Sequence, residues 1–312
     1  MKKTIDIISV GEVLIDFIGR EKNATLAETK NYQKFLGGSP TNVAVNMARL
    51  GLKSVLVATC GSDGLGKYII KKLEKNKVIT SQIKKTADFP TSAIFVSKST
   101  NTPEFIAYRQ ADYQIDSTQI SENLLESAKI YHTTCFALSK NPARKTIIEG
   151  AKKAKALGLQ TSIDINFSEK IWPNREEAKL VLKEYLATNP LVKLSDDDCY
   201  RLFAETKSED YIFNYFHTLG ATTICLTRGK DGVVLSDSKT GIIRQKAMPI
   251  EDIKDATGAG DAFWSGFLYA QLLKKPFEET ITFAQKLAVL KLQNLGGLPE
   301  DLDVIKYLNQ DL

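Results

Sequence analysis

The segment Asp255–Phe267, DATGAGDAFWSGF, carries the strongest chemical signal in the chain. Gly258, Ala259 and Gly260 have side chains small enough for a ligand to reach the backbone. The residues after them read as a helix, with Phe263, Phe267 and Ala270 on one face. A small-residue turn opening a helix aims several N–H groups at one point, with the positive end of the helix dipole behind them. That describes an anion or phosphate hole, or more plainly a helix start in which Asp261 offsets the dipole. A carboxylate in such a hole repels phosphate, but it is placed to take a proton from a hydroxyl that attacks one. A second glycine-led helix start, GGSPTNVAVNMARLG at 37–51, sets Asn42 in a first turn beside Gly37 and Gly38. The Asn42 amide offers a donor and an acceptor to sugar hydroxyls. Read on its own, GGSPT is equally a turn with a helix cap.

From about residue 120 onward, short strand-like runs alternate with helix-length amphipathic segments. The strand candidates are 129–133, 160–165, 191–195 and 222–227, and the helical patterns are 142–157, 175–187 and 209–219. This alternation predicts βαβ units and a mostly parallel sheet, in which ligands bind beyond the carboxyl ends of the strands. Two stretches break it. Residues 13–35 have strand-like edges around a polar middle, and residues 91–113 read as SAIFVSK and EFIAYRQ joined by a hairpin-like STNTP. Neither has a crossover helix, so they predict a small, discontinuous β-rich element on the α/β body. No Gly/Ser-rich linker or internal repeat divides the chain.

The 312 residues are 43% hydrophobic, 25% charged and 9% aromatic, proportions that exclude disordered, collagen-like and coiled-coil classes. Lys plus Arg number 42 against 37 Asp plus Glu, a charge of +5 spread along the chain rather than gathered on one element. Neither nucleic acid nor a membrane surface is therefore expected as a partner. Cys60, Cys135, Cys199 and Cys225 form no C-x-x-C pair and lie in or beside apolar runs, which predicts buried thiols in a reducing compartment. Asp6, Glu12 and Asp16 interrupt the N-terminal apolar run, and no run reaches the roughly 18 residues of a membrane span. The expected location is the cytoplasm.

Taken together, GGSPTNVAVNMARLG and DATGAGDAFWSGF resemble the N- and C-terminal signatures of the ribokinase-like (PfkB) carbohydrate kinases, and the likeness runs the length of the chain. VGEVLIDF near the start, Asp63–Gly66 in GSDGLGKY, DINFSEKIWP at 164–173, VKLSDDD at 192–198 and LTRGKDG at 226–232 agree with it. The resemblance implies one α/β domain over 1–312, a doubly wound, mostly parallel, Rossmann-like three-layer sheet. A small discontinuous β-sheet lid would come from about 13–36 and 91–114. It further implies transfer of the γ-phosphate of ATP, with Mg²⁺, to a sugar hydroxyl. Asp261 matches the catalytic base, and the amides of Gly258, Ala259 and Gly260 would stabilise the transferring phosphoryl group. Asp16, Gly37, Gly38 and Asn42 match the sugar-binding side. Thr227, Gly229 and Gly232 match the loop around the nucleotide phosphates, and Asp198 an acidic position in the Mg²⁺–water network. Asp255 and Thr257 match positions that often hold a monovalent cation, commonly K⁺. Lid sheets in this family often pair between protomers, which implies a homodimer.

For the acceptor, Arg109 and Asp112 in YRQADYQI resemble the Arg-x-x-Asp-like lid segment of members acting on fructose or sugar acids. Arg109 would then hydrogen-bond sugar hydroxyls or a carboxylate; the other reading is an exposed lid arginine paired with Asp112. Ser168 stands where fructokinase-like and keto-deoxygluconate-kinase-like relatives usually have arginine, which lowers the case for an acidic substrate. The order of expectation is fructose, then keto-deoxygluconate or a related sugar acid, then ribose or a nucleoside. A non-catalytic sugar- or nucleotide-binding protein on the same fold is the reading from another class. GSDGLGK fits seven positions of the P-loop pattern, but Tyr68 stands where a Mg²⁺-binding hydroxyl is needed. The two histidines, His132 and His217, are expected to be structural or exposed, and Trp172 and Trp264 to be packing residues.

Overall fold

Runs that are apolar on both faces become central strands of a sheet covered on both sides. The computed structural model describes residues 3–98, 104–294, 296–299, 303 and 306. In chain order its strands begin with β1 (Ile5–Val10), β2 (Leu14–Lys22), β3 (Tyr32–Gly37), β4 (Ser54–Gly61), β5 (Ile83–Thr86), β6 (Ala93–Lys98) and β7 (Phe105–Tyr108). They continue with β8 (Ala128–Thr134), β9 (Gln160–Asp164), β10 (Leu191–Ser195), β11 (Thr223–Thr227), β12 (Val233–Asp237) and β13 (Gly241–Gln245). The first helices are α1 (Ser39–Arg49), α2 (Gly64–Lys75), α3 (Glu122–Glu126) and α4 (Ala143–Ala156). After them come α5 (Arg175–Leu186), α6 (Asp196–Phe203), α7 (Glu209–Thr218), α8 (Ala259–Leu272) and α9 (Phe277–Leu292).

The main sheet has the order β13-β12-β11-β10-β9-β8-β1-β4-β5. All neighbours from β5 to β11 run parallel, while β12 and β13 extend the sheet antiparallel. Side chains alternate between its faces: Ile8 of β1 packs towards α3–α7, and its neighbour Ile7 towards α1, α8 and α9. The result is the expected three-layer, ribokinase-like α/β body. A second sheet, in the order β3-β2-β6-β7, stands apart as the lid, with β2 and β6 parallel at its centre. The segment STNTP at 99–103, expected as a hairpin-like join, lies outside the described residues. Val13 and Ile15 at the lid's base join a cluster with Leu56, Ala58 and the α2 residues Ile69 and Leu73, which ties the lid to the body. All four cysteines are buried and free, and no helix among the described residues is long and apolar enough to cross a membrane.

The P-loop-like segment has a structural role instead. Asp63 caps α2: its Oδ1 accepts from the N–H groups of Leu65 (2.9 Å) and Gly66 (2.8 Å), and from Thr91 Oγ1 (2.8 Å). Its Oδ2 accepts from the Thr91 N–H at 2.7 Å, so one carboxylate fills the helix start and binds it to the approach to β6. Asp63→Ala is expected to cost about 2 kcal/mol, from the lost cap and the stranded Thr91 donors. Thermal melting would read this as a drop of several degrees; an unchanged melting temperature would contradict it.

Candidate active site

Five helices, α2, α3, α5, α6 and α7, begin at side-chain caps. In contrast, α1 and α8 begin at Gly38 and Gly258, whose φ angles of 103° and 78° disfavour any other residue. At position 38 a Cβ would also lie 2.3 Å from the Glu12 carbonyl oxygen. The missing cap on α1 comes from a distant residue: the Ser39 N–H donates to Glu12 Oε1 at 3.1 Å. Thr134 Oγ1 at the end of β8 donates to Glu12 Oε2 at 3.2 Å, and burial pushes this carboxyl up to about 8.

The two glycine-led helix starts meet on Asp261, in the first turn of α8. Its Oδ1 accepts from Ser39 Oγ (2.5 Å) and its Oδ2 from Asn42 Nδ2 (2.8 Å), and the residue is only 9% exposed. Burial outweighs these bonds and the pull of Lys193 and Lys291, and holds the carboxyl above its ordinary pKa. That direction makes it a better proton acceptor than a solvated aspartate.

The turn before Asp261 divides two cavities. On one side, Gly258 lines a cavity of about 300 Å³ together with Asp16, Asn42, Asp255 and Thr257. Asp16, on β2, is pushed up to about 7 by burial and then by the charges of Asp261 and Asp255. A Cβ on residue 37 would lie 2.3 Å from Asp16 Oδ2, so Gly37 makes room for that carboxylate. On the other side, Ala259 and Gly260 line a cavity of about 550 Å³ with Thr227, Gly229 and Gly232. Its remaining wall is mostly apolar and includes Met248, Ile250, Ile253 and Phe263. One mouth is therefore polar and suited to hydroxyls, the other mostly apolar with glycines at one part of its wall, suited to a flat apolar ring.

A buried cation lies behind the turn 258–260. Lys193 of β10, 5% exposed, pairs with Asp164 of β9, 2% exposed, at 2.9 and 3.1 Å. A Cβ on residue 260 would lie 2.9 Å from Lys193 Nζ, so the absence of a side chain at Gly260 lets the ammonium come up against the turn. Burial opposes its charge, but Asp164, Asp198 and Asp261 outweigh that and hold its pKa above the ordinary value. Of the three amides expected to form the hole, that of Ala259 donates to the Ala256 carbonyl at 3.2 Å.

The sequence model of the pfkB family carbohydrate kinases matches residues 4–301. The chain belongs to the pfkB family of carbohydrate kinases. Over 309 residues it is 34% identical to an ATP-dependent 6-phosphofructokinase of Thermoanaerobacterium thermosaccharolyticum, covering 98% of this chain and 94% of that one. The fructokinase of Halothermothrix orenii superposes with a TM-score of 0.81 at 34% identity, over 91% of this chain and 98% of its own. A sugar kinase of Pyrococcus horikoshii, solved in complex with ATP, superposes with a TM-score of 0.84 at 29% identity, over 96% and 99%.

The other site residues expected of this pfkB-family chain lie on α6, before α8 and at the end of β7. Asp198, at the start of α6, forms a capping box: its Oδ2 accepts from the Ser195 N–H (2.8 Å) and Oγ (2.6 Å). Asp255 is paired with Lys291 at 3.1 Å, and its Oδ1 accepts from the Thr257 N–H at 3.0 Å. Arg109 is buried rather than exposed. Its Nε donates to Asp112 (2.8 Å) and its Nη1 to Ser139 Oγ (2.5 Å), and the guanidinium lies 4.2 Å from the centre of the Phe136 ring. At the end of β7 the chain leaves the lid for the body, which carries the guanidinium inward. The Ser168 carbonyl closes a turn, accepting from the Ile171 and Trp172 N–H groups at 3.0 and 2.9 Å.

The histidines and tryptophans are structural. His132 is fully buried beside Ser162, His217 bonds the Ala221 carbonyl and Ser236, and Trp264 donates to Ser162 Oγ at 2.9 Å. Trp172 donates to Glu177 at 2.8 Å. Among the described residues no group of His, Cys, Asp and Glu is arranged to hold a metal ion. Sequence reasoning missed Glu12, Ser39, Asp164, Lys193 and Lys291 as site residues. One signal was readable: Lys193 interrupts the otherwise uncharged strand LVKLS, and Asp164 ends the otherwise uncharged strand QTSID.

Proposed function

We propose that this pfkB-family kinase phosphorylates fructose, transferring the γ-phosphate of ATP to a sugar hydroxyl with Asp261 as general base. One observation supports the reading: the turn 258–260 lies between a polar cavity and a larger, mostly apolar one, and Asp261 follows directly on that partition. Asp16 and Asn42 orient the sugar by hydrogen bonds to its hydroxyls. Asp261 takes the hydroxyl proton, the oxygen bonds to the phosphorus, and the bond to the departing ADP breaks. The amides of Gly258 and Gly260, with the Lys193 ammonium behind them, balance the charge on the transferring group. Because the Ala259 amide is engaged with Ala256, Lys193 takes a larger share of that task. ATP supplies the phosphoryl group and Mg²⁺ the counter-charge on its phosphates; Asp198 is the carboxylate that would meet the metal's water shell. The residues lining the larger cavity fit a nucleotide: apolar walls for the base, and Thr227, Gly229 and Gly232 at the phosphate end.

A second reading has a specific basis. Lys34, Arg49 and Lys72 line the sugar-side cavity, and one relative is named a 6-phosphofructokinase. Positive side chains at that wall suit an acceptor that already carries a phosphate, namely fructose 6-phosphate. ADP release with Mg²⁺-ATP across fructose, fructose 6-phosphate, keto-deoxygluconate and ribose separates the readings. We expect fructose to exceed the others at least tenfold in kcat/KM. Preference for fructose 6-phosphate would replace the substrate and keep the machinery, and no turnover with any of them would overturn the proposal.

A further inference from the structure

Lys291, in the last turn of α9, is 4% exposed. Its ammonium donates to the Asp255 carbonyl (3.2 Å), to Asp255 Oδ2 (3.1 Å) and to the Asn294 carbonyl (3.1 Å). These bonds match the three donors of an ammonium. Main-chain carbonyls with one carboxylate are also the hard oxygen set that cations such as K⁺ prefer. The family resemblance implies a monovalent cation, commonly K⁺, at Asp255 and Thr257. The oxygens such an ion needs are already gathered round Lys291 Nζ, so these residues do not fit an added ion.

The position matters for the site. A Cβ on residue 258 would lie 3.7 Å from Lys291 Cε, so the lysine stem flanks the glycine that opens α8. Asp255 Oδ1 accepts from the Thr257 N–H (3.0 Å), and its Oδ2 also accepts from the Gly296 N–H (3.1 Å). The ammonium thus joins the end of α9, the residues after it and the approach to Gly258. It also opposes a concentration of like charge, since Asp16 feels both Asp255 and Asp261.

We infer that the Lys291 ammonium is a built-in monovalent cation that orders the 255–258 turn and makes this kinase independent of K⁺. The inference rests on the proposal that this turn carries phosphoryl transfer, and Lys291 acts in it as a positioning residue.

The test measures ADP release and thermal melting in KCl, NaCl and choline chloride at equal ionic strength, for the wild type and Lys291→Ala. The wild type is expected to vary less than twofold in rate and to show the same melting temperature in all three salts. In choline, Lys291→Ala is expected to lose at least tenfold in kcat, with a smaller change in KM for the sugar. K⁺ or methylammonium, entering the vacated oxygen cage, should restore part of the rate and raise the variant's melting temperature. Activation of the wild type fivefold or more by K⁺, or wild-type-like kcat of the variant in choline, would overturn the inference. Should Lys291→Ala fail to fold, the salt series on the wild type decides alone. Should the wild type phosphorylate none of the sugars, the functional proposal fails, while the melting series still decides whether the wild type binds K⁺.

Discussion

Asp261→Asn is expected to lower kcat about a thousandfold while changing KM for sugar and ATP only a few-fold. The amide is isosteric and can still bond Ser39 and Asn42, each of which can serve in either role through its hydroxyl or carboxamide. What it loses is the capacity to hold the hydroxyl proton. The variant should not be less stable. Burial has raised the carboxyl pKa, so the folded chain binds that proton more tightly than the unfolded chain does. The charged form therefore costs stability at neutral pH, a cost that disappears as pH falls through the folded-state pKa. Asp261→Asn should melt at or above the wild-type temperature at pH 8, with the gap closing in acid. In the wild type, kcat/KM should fall on the acid side at a pH above the ordinary carboxylate range. A variant with near-wild-type kcat would remove Asp261 from the role of base.

Lys193→Met is the second large effect. It leaves Asp164 as a charge with 2% exposure and no ammonium, which costs about 3–5 kcal/mol. For a chain of this size that is a fall in melting temperature on the order of 10 °C. Replacing both members, Lys193→Met with Asp164→Leu, removes the stranded charge and should recover most of the lost stability. The rate should not recover with it. If the ammonium behind Gly260 balances phosphoryl charge, kcat stays down about a hundredfold in the double variant. Melting curves and kcat for both variants separate the two roles. Full recovery of kcat in the double variant would make the pair purely structural.

Much of the fold is readable from local pattern. The strands at 128–134, 160–164, 191–195 and 223–227 are each bounded by a helix-period segment, so alternation alone places them to within a residue or two. The lid is discernible for the opposite reason, since its two segments lack any helical stripe. The hairpin of β12 and β13 escaped because βαβ alternation looks for a helix after each strand. Here only a short turn at 238–240 intervenes. Glycines announced the site, because Gly38 and Gly258 are needed wherever the backbone must turn left-handed into a helix.

The charges that tune the site were hidden by sequence distance. Lys193 finds Asp164 across 29 positions, Lys291 finds Asp255 across 36, and Ser39 finds Asp261 across 222. No local pattern relates such residues; only strand neighbours in the sheet and helix packing bring them together. Arg109 shows the same limit. Its spacing to Asp112 was readable, but its burial against Phe136 and Ser139 depends on where the lid meets the body.

In the proposed mechanism Asp261 directs the γ-phosphate to a sugar rather than to water. ³¹P NMR of Mg²⁺-ATP with fructose and the enzyme follows both products at once. For the wild type, a phosphate monoester signal is expected to grow in step with ADP with no inorganic phosphate, and neither product is expected with Asp261→Asn. ADP accompanied by inorganic phosphate alone, or equal sugar phosphate from the wild type and Asp261→Asn, would contradict it.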